Sequence, residues 1–333
     1  MSLSEIARAL VAPGKGILAA DESTGTIKKR FDSIGAESTE ENRRAYRELL
    51  FTAPGVEKYI SGVILYDETL RQTTKDGVPF PELLTSKGII PGIKVDAGTK
   101  ALTDGSLEKI TEGLEGLDER LKEYYELGAR FAKWRAVITI GEGIPTDICI
   151  EENAKRLAEY ALRVQQAHMV PIVEPEVLMD GKHDINTCYD VTKKTLSVVF
   201  EELKKVGVDL NGILLKPNMV IPGQDVPKAT PGEIAMKTIK CFQEVVPEQV
   251  PGIVFLSGGQ SEQEACENLD AINVYAEVKP WQLSFSYGRA LQASVLKAWG
   301  GKVEQIEAGQ QAFLHQAELT SQARLGTYMS FVK

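Results

Sequence analysis

Short apolar runs recur along the whole chain, and segments of helical period separate them. Strands are read at Gly16–Ala20, Gly62–Tyr66, Ile89–Val95, Phe131–Ile140, Val170–Val173, Gly212–Leu215, Gly252–Leu256 and Leu283–Phe285. Runs this short and without polar alternation suit strands buried on both faces, as in a parallel sheet. Parallel neighbours cannot be joined by a tight turn, so each connection must cross over, usually as a helix. The intervening stretches carry the matching signals. Ser38 with Glu41 and Ser261 with Glu264 read as capping boxes, and Thr230-Pro231 with Glu233 as a capped helix start. Ala154, Leu157, Ala158, Ala161 and Leu162 fall on one helical face. Helical stretches are also read at Met1–Leu10, around Leu114–Phe131 and at Val303–Leu325. Eight strands alternating with helices predict an α/β fold, a (β/α)8 TIM barrel with additional N- and C-terminal helices. A doubly wound sheet is the alternative, but no G-x-G-x-x-G follows the first run. No linker or repeat divides the sequence, so residues 1–333 are expected to form a single barrel domain.

What ends each run is charged. Asp21 and Glu22 follow the first and Asp67 and Glu68 the second; Lys94 and Asp96 close the third, and Lys133 and Arg135 interrupt the fourth. Glu174 and Glu176 follow the fifth, Lys216 the sixth, Ser257-Gly258-Gly259 the seventh, and Ser286-Tyr287-Gly288-Arg289 the eighth. In a barrel the C-terminal strand ends build the active site. Lys133 and Arg135 are two apart and share a face, as do Glu174 and Glu176. Lysine is seldom buried alone, so Lys94, Lys133 and Lys216 converging with Asp21, Glu174 and Glu176 point to chemistry rather than to isolated ion pairs. Pro217 biases Lys216 toward an extended backbone. Desolvation and a neighbouring cation would lower the pKa of Lys216 and free its amine as a nucleophile. From an unperturbed value of ~10.4, a fall of about three units costs ~4 kcal/mol. Lys216 is the Schiff-base candidate, although the residues alone do not rank it above Lys133.

Glycine-rich turns at Ser257-Gly258-Gly259 and Gly288-Arg289 lie where barrels bind phosphate through backbone N–H groups. Ser23-Thr24-Gly25-Thr26, followed by Lys29 and Arg30, offers a second set of hydroxyls and cations. Arg135 and Ser286 complete the candidate substrate contacts. Two such sites flanking a lysine suggest a ligand with a phosphate at each end. The net charge of −9 argues against nucleic acid and anionic membrane as partners. Three scattered histidines and four dispersed cysteines (Cys149, Cys188, Cys241, Cys266) form no zinc motif and suit reduced thiols in the cytoplasm. No metal or other cofactor is expected. Met1–Leu10 lacks the apolar core of a signal peptide, and no apolar run approaches membrane-spanning length.

These segments closely resemble class I fructose-bisphosphate aldolases. The resemblance rests on Leu18–Thr26 (LAADESTGT), Gly92–Asp96 (GIKVD), Phe131–Arg135 (FAKWR), Val170–Glu176 (VPIVEPE), Leu214–Met219 (LLKPNM), Phe255–Ser261 (FLSGGQS) and Phe285–Gly301 (FSYGRALQASVLKAWGG). It implies that Lys216 is the Schiff-base lysine and that Glu174 assists carbinolamine formation and dehydration. It also implies that Asp21, Lys133 and Glu176 surround the reacting carbons. Lys94, Ser23, Thr26 and Arg30 would handle one phosphate; Ser257, Gly258, Gly288 and Arg289 the other. Thr26 stands where the family more often has serine, which keeps the hydroxyl.

The resemblance further implies reversible cleavage of fructose 1,6-bisphosphate, a homotetramer and, by analogy only, cytoskeletal partners. The family usually carries a C-terminal tail ending in tyrosine, whereas this sequence ends in Thr327–Lys333. Tyr328 falls near the start of that tail and is not expected to take the terminal tyrosine's role; slower enamine protonation is expected instead. The rival readings are another lysine-dependent barrel enzyme, such as a transaldolase or a one-phosphate aldolase, and a catalytically idle barrel that serves as a scaffold.

Overall fold

A computed structural model of the chain describes residues 1–275 and 279–331. Its strands are β1 (Gly16–Ala20), β2 (Ile60–Leu65), β3 (Ile90–Lys94), β4 (Thr99–Ala101), β5 (Lys109–Thr111), β6 (Phe131–Ile138), β7 (Val170–Val177), β8 (Leu214–Leu215), β9 (Gly252–Phe255) and β10 (Gln282–Tyr287). Eight of them close into an all-parallel barrel in the order β1-β2-β3-β6-β7-β8-β9-β10, with β10 returning to β1. This is the expected (β/α)8 barrel.

The structure corrects several boundaries. Glu174 and Glu176 do not follow the fifth barrel strand but belong to it: β7 runs on to Val177, with Arg135 opposite Glu174 and Val137 opposite Glu176. A charged residue breaks an apolar run in sequence without breaking the ladder, because its side chain faces the open end of the barrel. In the same way β10 continues through Ser286 and Tyr287. The hairpin β4–β5, with β4 mostly exposed and Ile110 and Thr111 of β5 buried, lies between the third and fourth barrel strands; its three-residue strands carry no periodic signal. Thr39, not Ser38, caps the helix Glu40–Thr52, its hydroxyl accepting from the Asn42 N–H at 3.1 Å. The Ser38 carbonyl is instead taken by the Arg43 guanidinium. The Ser261–Glu264 box forms as read, with both reciprocal bonds present. The helix read at Val303–Leu325 opens with a 3-10 turn at Val303–Gln305, and a short helix, Tyr328–Phe331, follows it. Val332 and Lys333, in the C-terminal stretch discussed above, lie outside the described residues.

Inside the barrel, successive residues on one face change character with height. Ile17 and Ala19 precede Asp21, Phe131 precedes Lys133 and Arg135, Val170 and Ile172 precede Glu174 and Glu176, and Leu214 precedes Lys216. The apolar members form one interior cluster, which the N-terminal helix Leu3–Leu10 plugs from below with Ile6, Ala7 and Leu10. The alternate positions pack outward against the helices; Trp134, for example, meets Tyr160 with ring centroids 5.5 Å apart. The Ser61 hydroxyl fastens the plug by donating to the carbonyls of Leu10 and Gly16. Arg324, from the helix Ile306–Leu325, donates to the carbonyls of Val11 and Lys15, tying the last long helix to the first.

Glycines make room at this end of the barrel, Gly252 against the interior cluster and Gly16 against Phe285 of the outer layer. A Cβ added at Gly16 would stand 2.6 Å from the Phe285 ring, and one at Gly252 would stand 2.6 Å from Val11. Overpacking a dense core of this kind costs about 1–3 kcal/mol. Gly16→Ala is therefore expected to lower the free energy of unfolding in urea by about that amount; an unchanged midpoint would show that Phe285 yields without strain.

Candidate active site

The open, C-terminal end of the barrel forms a cavity of about 880 Å³. Every residue proposed from the sequence lines it: Asp21, Ser23, Thr26, Arg30, Lys94, Lys133, Arg135, Glu174, Glu176, Lys216, Ser257, Gly258, Ser286, Gly288 and Arg289. None is left elsewhere on the molecule. The reason is geometric. Most are the next inward-facing position above an apolar layer or open the loop that follows a strand, and in a barrel those positions converge. Thr26, Arg30 and Arg289 stand on the helices Thr24–Asp32 and Arg289–Trp299 that begin at the rim.

Lys216 lies one residue beyond β8, yet its backbone is held on both sides. Its N–H donates to the Val173 carbonyl at 2.8 Å, and the Pro217 carbonyl accepts from the Leu256 N–H at 3.1 Å. The Asn218 amide oxygen accepts from the Val177 N–H at 3.0 Å. The lysine stem is thus fixed where the strand ends. Its ammonium stands 3.4 Å from one oxygen of Glu174, and the other oxygen of Glu174 stands 3.4 Å from Lys133. Lys133 in turn contacts Asp21 at 2.7 Å. All four side chains are buried.

Burial alone would raise the Asp21 carboxyl, but Lys133, Lys216 and Lys94 outweigh it and bring it down to about 2. Burial likewise opposes the charge on Lys133, yet Asp21, Glu174 and Asp96 prevail and hold its ammonium above the ordinary lysine range. An amine kept protonated this firmly is a poor nucleophile, which counts against Lys133 as the Schiff-base lysine. Around this centre Lys94 pairs with Asp96 at 2.6 Å and Arg135 with Glu176 at 2.5 Å.

Two helices begin at the rim without a side-chain cap. One is Thr24–Asp32, preceded by Ser23; the other is Arg289–Trp299, preceded by Gly288. Their first N–H groups remain open to an anion. The Ser23 and Thr26 hydroxyls bond each other at 3.1 Å beside the first helix. Near the second, Gly258 (φ +50°) and Gly259 (φ +80°) take a left-handed turn that favours glycine and brings backbone close to the cavity. The Ser286 hydroxyl is buried and has no hydrogen-bond partner. Buried polar atoms left unpaired at a cavity wall mark places for ligand atoms.

Sequence reading missed part of the surroundings. Tyr66 and the segment Ala97–Thr99 also line the mouth, the latter leading into the β4–β5 hairpin. Glu22, noted only as a charge ending a strand, is a buried carboxylate held by Arg30, Arg47 and Gln292. Nothing in the sequence around Arg47 or Gln292 announces this, because the partners come from two different helices. Tyr328 is buried away from the cavity, its N–H donating to the Asp270 carboxylate at 2.8 Å.

Barrel and site together define an enzyme that handles a small anionic ligand with paired lysine and carboxylate groups. Comparison with known proteins narrows this. The family described as fructose-bisphosphate aldolase class-I matches residues 2–333. The cytosolic fructose-bisphosphate aldolase 6 of Arabidopsis thaliana is 55% identical over 321 residues, covering 96% of this chain and 90% of the relative. A probable class 1 fructose-bisphosphate aldolase of Xanthomonas axonopodis pv. citri is 53% identical, covering 98% of each. A ternary co-crystal structure of the Plasmodium falciparum fructose-bisphosphate aldolase with TRAP and a small-molecule inhibitor superposes with a TM-score of 0.96 at 53% identity, covering 98% of this chain and 94% of that one. The chain belongs to the class-I fructose-bisphosphate aldolase family, and is accordingly a lyase.

The depressed Asp21 carboxyl has a consequence for stability. A carboxylate whose folded pKa lies below its unfolded value stabilises the fold above that unfolded value and loses the contribution as pH falls through the folded one. The fall from 3.8 to about 2 corresponds to ~2 kcal/mol. Asp21→Asn is expected to be less stable by about that amount near neutrality, with the gap to the unmodified chain closing as pH falls from about 4 to about 2. Denaturation at a series of pH values measures it; a gap independent of pH would mean that the ion pair does not set the titration.

Proposed function

We propose that this chain reversibly cleaves fructose 1,6-bisphosphate to dihydroxyacetone phosphate and glyceraldehyde 3-phosphate, with Lys216 as the covalent nucleophile. The observation that carries this assignment is the buried carboxylate of Glu174, which stands 3.4 Å from both Lys216 and Lys133. Glu174 is positioned to take a proton from Lys216 and deliver it to the departing C2 oxygen. The amine of Lys216 adds to C2 of the open-chain ketose, giving a carbinolamine, and loss of water leaves an iminium. That cation accepts the C3–C4 bonding pair as a base removes the C4 hydroxyl proton. Asp21 and Glu176 are the candidate bases, and Lys133 supplies a fixed positive charge beside the developing oxyanion.

The aldehyde leaves, the enamine takes a proton at C3, and water hydrolyses the iminium to release dihydroxyacetone phosphate and restore the amine. The two phosphates take the two rim sites: Ser23, Thr26, Arg30 and Lys94 on one side, and Ser257, Gly258, Ser286, Gly288 and Arg289 on the other. Arg135, bonded to Glu176, orients that carboxylate against the sugar. The whole chain acts as one barrel domain.

Among the described residues no helix is long and apolar enough to cross a membrane. The cytosolic and cytoplasmic names of the plant relatives support a cytoplasmic location. Family likeness supports a homotetramer, which sedimentation would test. The complex of the P. falciparum relative with TRAP supports a protein-binding role beside the enzymatic one, as does the family's cytoskeletal analogy.

Incubation with dihydroxyacetone phosphate in EDTA, borohydride reduction and peptide mass spectrometry should find the adduct on Lys216, and Lys216→Met should abolish it. A folded protein with no adduct on any lysine would return the chain to the scaffold reading. Glu174→Gln is expected to lower kcat by roughly 10²–10⁴-fold, the range of general acid–base catalysis. A kcat within twofold of the parent would assign proton transfer elsewhere.

A further inference from the structure

Arg30 lines the cavity, but its guanidinium is already engaged: Nη1 lies 2.5 Å from Oε1 of Glu22. The second oxygen of Glu22 lies 2.7 Å from Arg47, which is buried and does not line the cavity. Gln292, also fully buried, donates from its amide to Oε1 of Glu22 at 3.1 Å and to the Ala19 carbonyl at 3.0 Å, and it accepts from the Tyr46 hydroxyl. One carboxylate is therefore shared by two guanidinium groups, and the trio carries one net positive charge. Only Arg30 of the three cations and amides reaches the cavity, with its side chain 21% exposed against 3% for Arg47.

A ligand phosphate at the rim competes with Glu22 for Arg30. Drawing Arg30 away would ordinarily strand a buried carboxylate, an expensive outcome. Here Arg47 and Gln292 remain on Glu22, so the carboxylate stays paired while Arg30 turns to the ligand. We propose that Arg47 is a positioning residue for phosphate binding: by neutralising Glu22 from behind, it leaves Arg30 free to exchange between Glu22 and a substrate phosphate. The proposal rests on the reading above in which Arg30 is a phosphate contact.

The test is a mutant cycle read as KM for fructose 1,6-bisphosphate. Arg47→Met leaves Arg30 as the one cation on Glu22, so KM rises about tenfold, equivalent to about 1.4 kcal/mol. The double variant Glu22→Gln/Arg47→Met removes the competing charge and returns KM to within about twofold of the parent, on the same scale. Arg30→Met raises KM, and adding Arg47→Met to it raises KM no further. A rise caused by Arg47→Met that persists in the Arg30→Met background overturns the proposal, because Arg47 would then act through something other than Arg30. If Arg30→Met itself leaves KM unmoved, it is the assignment of Arg30 to phosphate that fails. Where Arg47→Met does not fold, Glu22→Gln alone decides: release of Arg30 lowers KM, and an increase refutes the exchange.

Discussion

A single carboxylate between two ammonium groups is the interaction on which the rest of the site depends. Glu174 is 3% exposed and stands 3.4 Å from Lys133 and from Lys216. Removing either lysine leaves two buried carboxylates to one ammonium, an imbalance far costlier than the loss of a surface pair. The arrangement holds only while β6, β7 and β8 keep their register. Side chains in a strand alternate between faces, so a slip of one residue would turn Lys133 outward and bring Trp134 into the mouth. The pairing of Arg135 opposite Glu174 is therefore a condition for the chemistry as much as for the fold.

Charge is distributed by depth. At the centre, Asp21, Lys133, Glu174 and Lys216 balance, as do Lys94 with Asp96 and Arg135 with Glu176. At the rim the balance tips positive through Arg289 and through the two arginines that share Glu22. A chain of net charge −9 thus presents a cationic mouth in an acidic shell. The acidic exterior disfavours long polyanions, while the low-dielectric walls concentrate the field on a small one that enters. Two uncapped helix ends at that rim add N–H groups directed at the same anion.

Much of this was legible in the sequence because a parallel barrel converts a one-dimensional rule into a three-dimensional place. The first charged residue after an apolar run is at the mouth for most strands; the second is the exception, where Asp67 and Glu68 pair with Arg71 and Arg43 outside the cavity. That rule found Lys216, Glu174 and Asp21 without any knowledge of which strands are neighbours. It failed where the determinant is not periodic. The strand containing Glu174 looked shorter than it is, since the residues that extend it are those that face the cavity. The β4–β5 hairpin is too short to show a period. Arg47 and Gln292 lie inside ordinary amphipathic helices, and only packing reveals that they meet at Glu22. The residues alone do not rank Lys216 above Lys133; the resemblance does, and the 2.7 Å contact of Lys133 with Asp21 agrees with it.

The floor of the barrel links the site to the way such a chain is made. The plug at Leu3–Leu10 is latched by Arg324, whose bond to the Val11 carbonyl joins residues 313 apart in sequence. β1, the first strand to leave the ribosome, finds its closing neighbour only in β10. Until residues 282–287 have emerged, the growing sheet keeps open edges, which are templates for unwanted pairing. The latch waits for residue 324. Assembly from the N-terminus can therefore lay strands side by side but cannot seal the barrel. The catalytic mouth, built from both ends of the chain, is complete only when β10 has closed on β1.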